Sequence, residues 1–196
     1  MSKVKINKVD IISDTKYLKL YNAEYCNKNG DLRNWTIASR KDLETIRNQF
    51  FNGLEEKIDA VIILAKHIKE DKLVIIKQFR VPLNDYVYEL PAGLVDAGED
   101  FTETVKRELK EETGLDLIEI DYTKTKSKVY VSVGMTDESV AFVYCTCSGE
   151  ISKDNLEADE DIEVMLVNKD EAKKVIESNE KIDIKALLAI QNFIGY

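Results

Sequence analysis

The stretch GLVDAGEDFTETVKRELKEETGL, from Gly93 to Leu115, decides how this chain is read. Asp100 and Glu103 have the spacing of a helix capping box, Val105 and Leu109 fall on one apolar face, and Gly114 supplies a C-terminal stop. The pattern predicts a helix between Asp100 and Gly114. On that helix Glu108, Glu111 and Glu112 stand at i, i+3 and i+4, so three carboxylates share a face. Like charges so placed cost roughly a few tenths of a kcal/mol per pair, and Arg107 offsets only part of it. A divalent cation resolves the rest, because hard oxygen ligands suit Mg²⁺ or Mn²⁺ and the metal keeps waters that become nucleophiles. Taken alone, an ExxEE pattern is more often a solvated acidic face. The loop ahead of it adds information: Gly93 and Gly98 permit an unusual backbone path, and Glu99 precedes the helix that carries Arg107.

Outward from this helix, the period on the N-terminal side is that of strands. Lys16 to Cys26 alternates, NKNGD supplies a turn, and Leu32 to Ser39 follows, which predicts an N-terminal hairpin. AVIILAKHI and KLVIIKQF, joined by KEDK, form a second and more buried hairpin, and YVYEL a short strand before Pro91. Downstream, strands are expected at 128–133, 139–147 and 162–166, then helices at 169–178 and 184–193. The sum is an α+β fold, a mixed sheet sandwiched between helices with an N-terminal antiparallel β extension. Residues 1–50 are read as that extension and 51–196 as the main domain.

Composition narrows the chemistry. The chain has 196 residues, 44% of them hydrophobic, so it can bury a real core. A formal net charge of −9 speaks against nonspecific nucleic-acid binding, which needs a basic surface. His67 is the only histidine, which removes His-rich zinc sites and the usual Ser-His or Cys-His pairings. Catalysis must rest on carboxylates, metals, Lys, Arg or Tyr. Cys145 and Cys147 stand two apart on an apolar strand and read as packed thiols. No apolar run is long enough to span a membrane and no export signal opens the chain, so a cytoplasmic protein is expected.

The stretch from Gly93 matches, at all nine specified positions, the pattern G-x5-E-x7-R-E-U-x-E-E-x-G-U, with U a bulky aliphatic residue. It therefore resembles the Nudix family. The resemblance implies the Nudix fold and hydrolysis of a nucleoside diphosphate linked to another moiety. It implies that Glu108 and Glu112 are the core metal ligands, with Glu111 assisting and the Ala92 carbonyl contributing. Gly93, Glu99, Arg107 and Gly114 would then be structural, Glu99 pairing with Arg107 to hold the loop on the helix.

The flanks resemble one branch of the family, the ADP-ribose pyrophosphatases. KQFRVPLNDYVYELPAGLVDAGE matches that branch's Q-[FY]-R strand end and E-L-P-A-G entry. Arg80 would there contact substrate phosphates, as a bidentate guanidinium does well, and Glu89 would lie near the metals. SVGMTDES resembles the branch's S-P-G-x-[ST]-x-E segment, placing Glu138 near the terminal ribose or metals. EADEDIEVMLVNKDEA resembles its late catalytic loop, which makes Glu157 and Glu160 candidates for the water-activating base or an additional metal ligand. Trp35 is a candidate for stacking on adenine or for a dimer core, and Arg33 and Arg40 for meeting the diphosphate. The branch's extension is exchanged between subunits of a dimer, and a homodimer is expected here too. One departure concerns substrate choice: valine stands at 131 and 133, where the branch carries proline.

The expected reaction is ADP-ribose to AMP and ribose 5-phosphate with Mg²⁺, or with Mn²⁺ in its place. The partner is a small nucleotide sugar, with neither nucleic acid nor membrane involved. The competing readings are a pyrophosphatase for another nucleotide sugar, such as a GDP-mannose-like one, and a non-catalytic domain that senses ADP-ribose.

Overall fold

A computed structural model describes residues 4–158 and 160–195. The chain divides into two compact units, the first running up to Asp59 and adding Val129–Val140, the second taking the rest.

In the first unit, β1 (Lys5–Asp14), β2 (Lys19–Cys26) and β3 (Leu32–Ser39) form an antiparallel sheet in that order. The expected hairpin of β2 and β3 is present, and β1 is an addition to it. Register shifts between Ile6 and Lys8 and between Ile11 and Ser13 break the two-residue period of β1, leaving Val9 as its one fully buried hydrophobe. That is why no alternation marks it in the sequence. A short helix that the sequence reading missed, α1 (Leu43–Phe51), begins where Asp42 accepts from the Thr45 amide at 2.7 Å. Its Ile46 closes the core formed by Val9, Tyr21 and Ala23.

The second unit holds β4 (Ala60–His67), β5 (Lys72–Arg80), β6 (Asp85–Glu89), β7 (Ala92–Leu94), α2 (Phe101–Thr113) and β8 (Asp116–Ile120). After β9 (Lys126–Tyr130) and β10 (Ser139–Ser148), whose residues are assigned partly to each unit, come β11 (Ile162–Val167), α3 (Lys169–Glu177), β12 (Lys181–Ile182) and α4 (Ile184–Ile194). The main sheet runs β12-β6-β5-β4-β10-β8, with β11 on β5, β7 on β4 and β9 on β10. Residues 60–63 and 73–76 are buried without alternation, so both faces of the central strands are covered. α2 lies against β4, β7 and β8, while α3 and α4 pack together and reach β5, β6 and β11. This is the expected mixed sheet between helices. β7 and β8 were not foreseen, being respectively three residues long and buried only at Ile120. β9 lies at 126–130 rather than 128–133.

His67 and the cysteines have structural roles. The His67 ring accepts from the Glu70 amide at Nδ1 (3.1 Å), so Nε2 carries the proton that it donates to the Gly149 carbonyl (3.1 Å). Burial pushes the Cys145 and Cys147 thiols up to about 12 and about 11, far from the thiolate range of reactive cysteines.

Gly114 ends α2 in the left-handed region at φ 78°, and a Cβ there would sit 2.4 Å from the Ser152 amide nitrogen. Gly114→Ala should cost about 1–2 kcal/mol from backbone conformation alone, more with the clash, measured as a shift in urea unfolding.

Candidate active site

The capping box seen in the sequence is formed. Asp100 accepts from the amides of Thr102 (2.8 Å) and Glu103 (3.0 Å), and the Glu103 carboxylate returns to the Asp100 amide (3.1 Å). This fixes where α2 starts, and its 3.6-residue period then buries Thr104, Val105, Glu108, Leu109, Glu112 and Thr113 on one face. Two of the three glutamates therefore share the buried face with aliphatic residues, while Glu111 stays partly exposed.

Arg107 binds most of this segment together. Its Nε and Nη2 donate to Glu99 (2.9 and 3.0 Å), Nη2 also to the Leu94 carbonyl (3.0 Å), and Nη1 to Glu108 (2.7 Å) and Glu111 (3.0 Å). Glu112 accepts from the Ala92 amide at 3.0 Å. Gly93 is glycine for a steric reason: a Cβ there would lie 1.8 Å from the Glu108 carboxyl carbon.

These groups line one polar cleft of about 320 Å³. Arg80, Ala92, Gly93 and Arg107 border it with Glu108, Glu111 and Glu112, and Glu157 and Glu160 of the late loop close it. Burial raises the Glu108 carboxyl above its ordinary value and raises Glu112 well above it, and the charge of Glu160 adds to both. Among the described residues no three acidic, histidine or cysteine side chains converge on one point, since Glu108 and Glu111 turn to Arg107 and Glu112 to the Ala92 amide. The donor set nonetheless fits a hard divalent cation. It is all oxygen, partly buried and mutually repelling, with the space beside Glu108 kept clear by a glycine.

Arg80 borders this cleft, yet its Nε and Nη2 are held bidentately by Glu89 at 2.6 and 2.7 Å. Glu89 is thus spent on orienting the arginine. Gln78, which sequence reasoning passed over as a strand residue, also lines the cleft. Its signal in the sequence was its place as the first residue of the Q-[FY]-R strand end, two before Arg80 on the same strand face.

In the first unit, Trp35, Arg40 and Glu138 come together. Trp35 Nε1 donates to the Gly134 carbonyl (3.1 Å), Arg40 Nε to Glu138 (3.1 Å), and the Ala38 amide to the Met135 carbonyl (2.9 Å). Lys41 Nζ lies between Asp137 (2.9 Å) and Asp59 (3.3 Å). A hollow of about 350 Å³ beside Trp35 is walled by Ile37, Phe50, Tyr130 and Met135. Arg33 is not part of this group and pairs at 3.6 Å with Asp31 beside the β2–β3 turn.

The model of the NUDIX domain matches residues 56–188. This chain belongs to the Nudix hydrolase family. It is 40% identical over 137 residues to the ADP-ribose pyrophosphatase of Bacillus subtilis, covering 67% of this chain and 70% of that protein. It is also 40% identical over 102 residues to the ADP-ribose pyrophosphatase of Saccharomyces cerevisiae, there covering 52% of this chain and 42% of the relative. A crystal structure of an ADP compounds hydrolase superposes with a TM-score of 0.69 at 16% identity, over 97% of this chain and 91% of that one, a likeness of fold. Nudix hydrolases generally use divalent metal ions, which agrees with the all-oxygen cleft. Among the described residues no helix is long and apolar enough to cross a membrane.

The Glu99–Arg107 pair carries a testable pH dependence. Hydrogen bonds from Arg107 lower the Glu99 carboxyl from 4.5 to about 2. A carboxyl depressed in the folded state contributes stability that is complete above its unfolded value and lost as pH falls through the folded one. The melting-temperature gap between the native protein and Glu99→Gln should therefore be full above pH 4.5 and shrink between there and about pH 2.

Proposed function

We propose that this chain hydrolyses ADP-ribose to AMP and ribose 5-phosphate with Mg²⁺. The observation that carries the reading is one cleft in which Glu108, Glu111 and Glu112 of α2 face Arg80 and the late-loop glutamates. The names of the Bacillus and yeast relatives support the substrate. The carboxylates of Glu108, Glu111 and Glu112, with the Ala92 carbonyl, would hold the cation. When bound, Mg²⁺ neutralises a diphosphate and acidifies a coordinated water. Arg80, oriented by Glu89, would meet a phosphate oxygen through its remaining N–H groups.

Of the two late-loop candidates, both of which line the cleft, we assign the base to Glu160, whose carboxylate is the one held by a hydrogen bond within the loop. Its Oε2 accepts from the Glu157 amide at 2.9 Å, which orients the carboxylate. Glu160 takes the proton of the attacking water as the new P–O bond forms and the bridging oxygen leaves with its electron pair. Glu157 then shapes the loop that presents it.

Trp35 is our candidate platform for the base. Its N–H is tied to Gly134, which fixes the ring plane, and the residue remains 51% exposed. Arg40 serves by holding Glu138 in place. The N-terminal sheet, with Ile11, Ile12 and Leu32 exposed on it, is the surface through which we expect a homodimer to form. Three free cysteines suit a reducing compartment, and we place the enzyme in the cytoplasm. Val133, 80% exposed where the related branch has proline, favours as second reading a pyrophosphatase for another nucleotide sugar.

A panel of ADP-ribose, other nucleotide sugars and nucleoside triphosphates, with Mg²⁺ and with chromatographic detection of AMP, tests this. ADP-ribose should give the highest kcat/KM and equal amounts of AMP and ribose 5-phosphate. Glu112→Gln should lose at least about 100-fold in kcat while keeping the native circular dichroism. Release of pyrophosphate from triphosphates as the dominant activity would overturn the assignment.

A further inference from the structure

We infer that Gln78 belongs to the cation-binding set of the cleft, as a neutral oxygen donor that completes the carboxylates of α2. The inference rests on the metal-dependent reading above. It starts from the sheet: Gln78 pairs with Val87 on β6 and with Ile162 on β11, and directly opposed residues of antiparallel strands share a face. Both neighbours are buried, at 4% and 1% exposure, and Ile76 precedes Gln78 on the same face of β5. The position suits a leucine or methionine by every packing criterion. An amide stands there instead, 9% exposed, and its Oε1 is buried with no protein donor in reach among the described residues.

A buried acceptor without a donor destabilises a fold unless something else satisfies it. The surroundings say what that is. Gln78 lines the same cleft as Ala92, Glu112 and Glu160, and Glu112 is itself buried, at 3% exposure. An acceptor oxygen beside acidic oxygens has no affinity for phosphate. It suits a hard cation, met directly or through one of its waters. The late loop is fastened to the next residue, since the Phe79 amide donates to the Asp161 carbonyl at 3.2 Å. Gln78 thus sits where the sheet, α2 and the loop carrying Glu160 meet.

The test compares Gln78→Met, which keeps volume and removes the oxygen, with Glu112→Gln and the native protein. Mn²⁺ binding is followed by electron paramagnetic resonance, thermal unfolding without metal by calorimetry, and the Mg²⁺ dependence of ADP-ribose hydrolysis in parallel. Gln78→Met should bind Mn²⁺ at least about fivefold more weakly, need correspondingly more Mg²⁺ for half-maximal rate, and melt at the same or a higher temperature. Gln78→Asn, which keeps the amide but withdraws the oxygen, should weaken Mn²⁺ in the same direction and stands in if the methionine variant does not fold. Mn²⁺ affinity within twofold of native in the folded variants overturns the inference, and so does a lowered melting temperature with unchanged affinity, which marks a purely structural amide. If Glu112→Gln also leaves Mn²⁺ binding unchanged, the metal reading of the cleft fails as well. If only Gln78 is silent, that reading stands.

Discussion

The Arg107 guanidinium is the constraint on which the cleft depends. It reaches Glu99 with two N–H groups, the Leu94 carbonyl with a shared one, and Glu108 and Glu111 with a third. The loop from Gly93 to Glu99 and the helix that follows are thereby one object. A planar fork of donors can satisfy several acceptors at fixed angles, which a lysine ammonium cannot do from the same position. Without that fork, Glu108 would sit on the buried face of α2 with only its repulsive neighbours. Gly93 completes the arrangement by leaving room for the Glu108 carboxylate where any side chain would collide with it.

The first unit solves a different problem with similar means. The segment 129–140 carries Val131 and Val133, where the resemblance read from the sequence implies proline. Here it is held by hydrogen bonds from β3 and the residues after it: Trp35 to Gly134, Ala38 to Met135, Arg40 to Glu138 and Lys41 to Asp137. Proline stiffens a loop by restricting the unfolded chain, whereas this clamp acts only in the folded state. Two residues read from sequence as substrate contacts, Arg40 and Glu138, are in the folded unit each other's partner.

Local stability is given up in the cleft. Glu112 and Gln78 are polar at buried positions, and both line the same cleft. Departures from the apolar pattern that gather around one cavity mark a site more clearly than any single charged residue does. His67 shows the contrast, since it too is buried and polar, but both ring nitrogens are satisfied at a hairpin turn.

The sequence by itself determined α2, its cap and its stop, the grouping of Glu108, Glu111 and Glu112, and the family. Those signals are contiguous, and a helix converts spacing directly into a shared face. It also gave the strands whose apolar residues alternate or run unbroken, such as β3, β4, β5 and β10. It missed β1, whose bulges erase the alternation, and β7, which is only three residues long. Beyond the Glu99–Arg107 pair that the resemblance implied, the tertiary structure alone decided which charges pair. Arg80 meets Glu89 across a strand pair, and Arg40 meets Glu138 across 98 positions of chain. It alone showed Gln78 Oε1 buried without a protein donor, because burial is set by β6 and β11 on either side and leaves no trace in the residue's own neighbourhood.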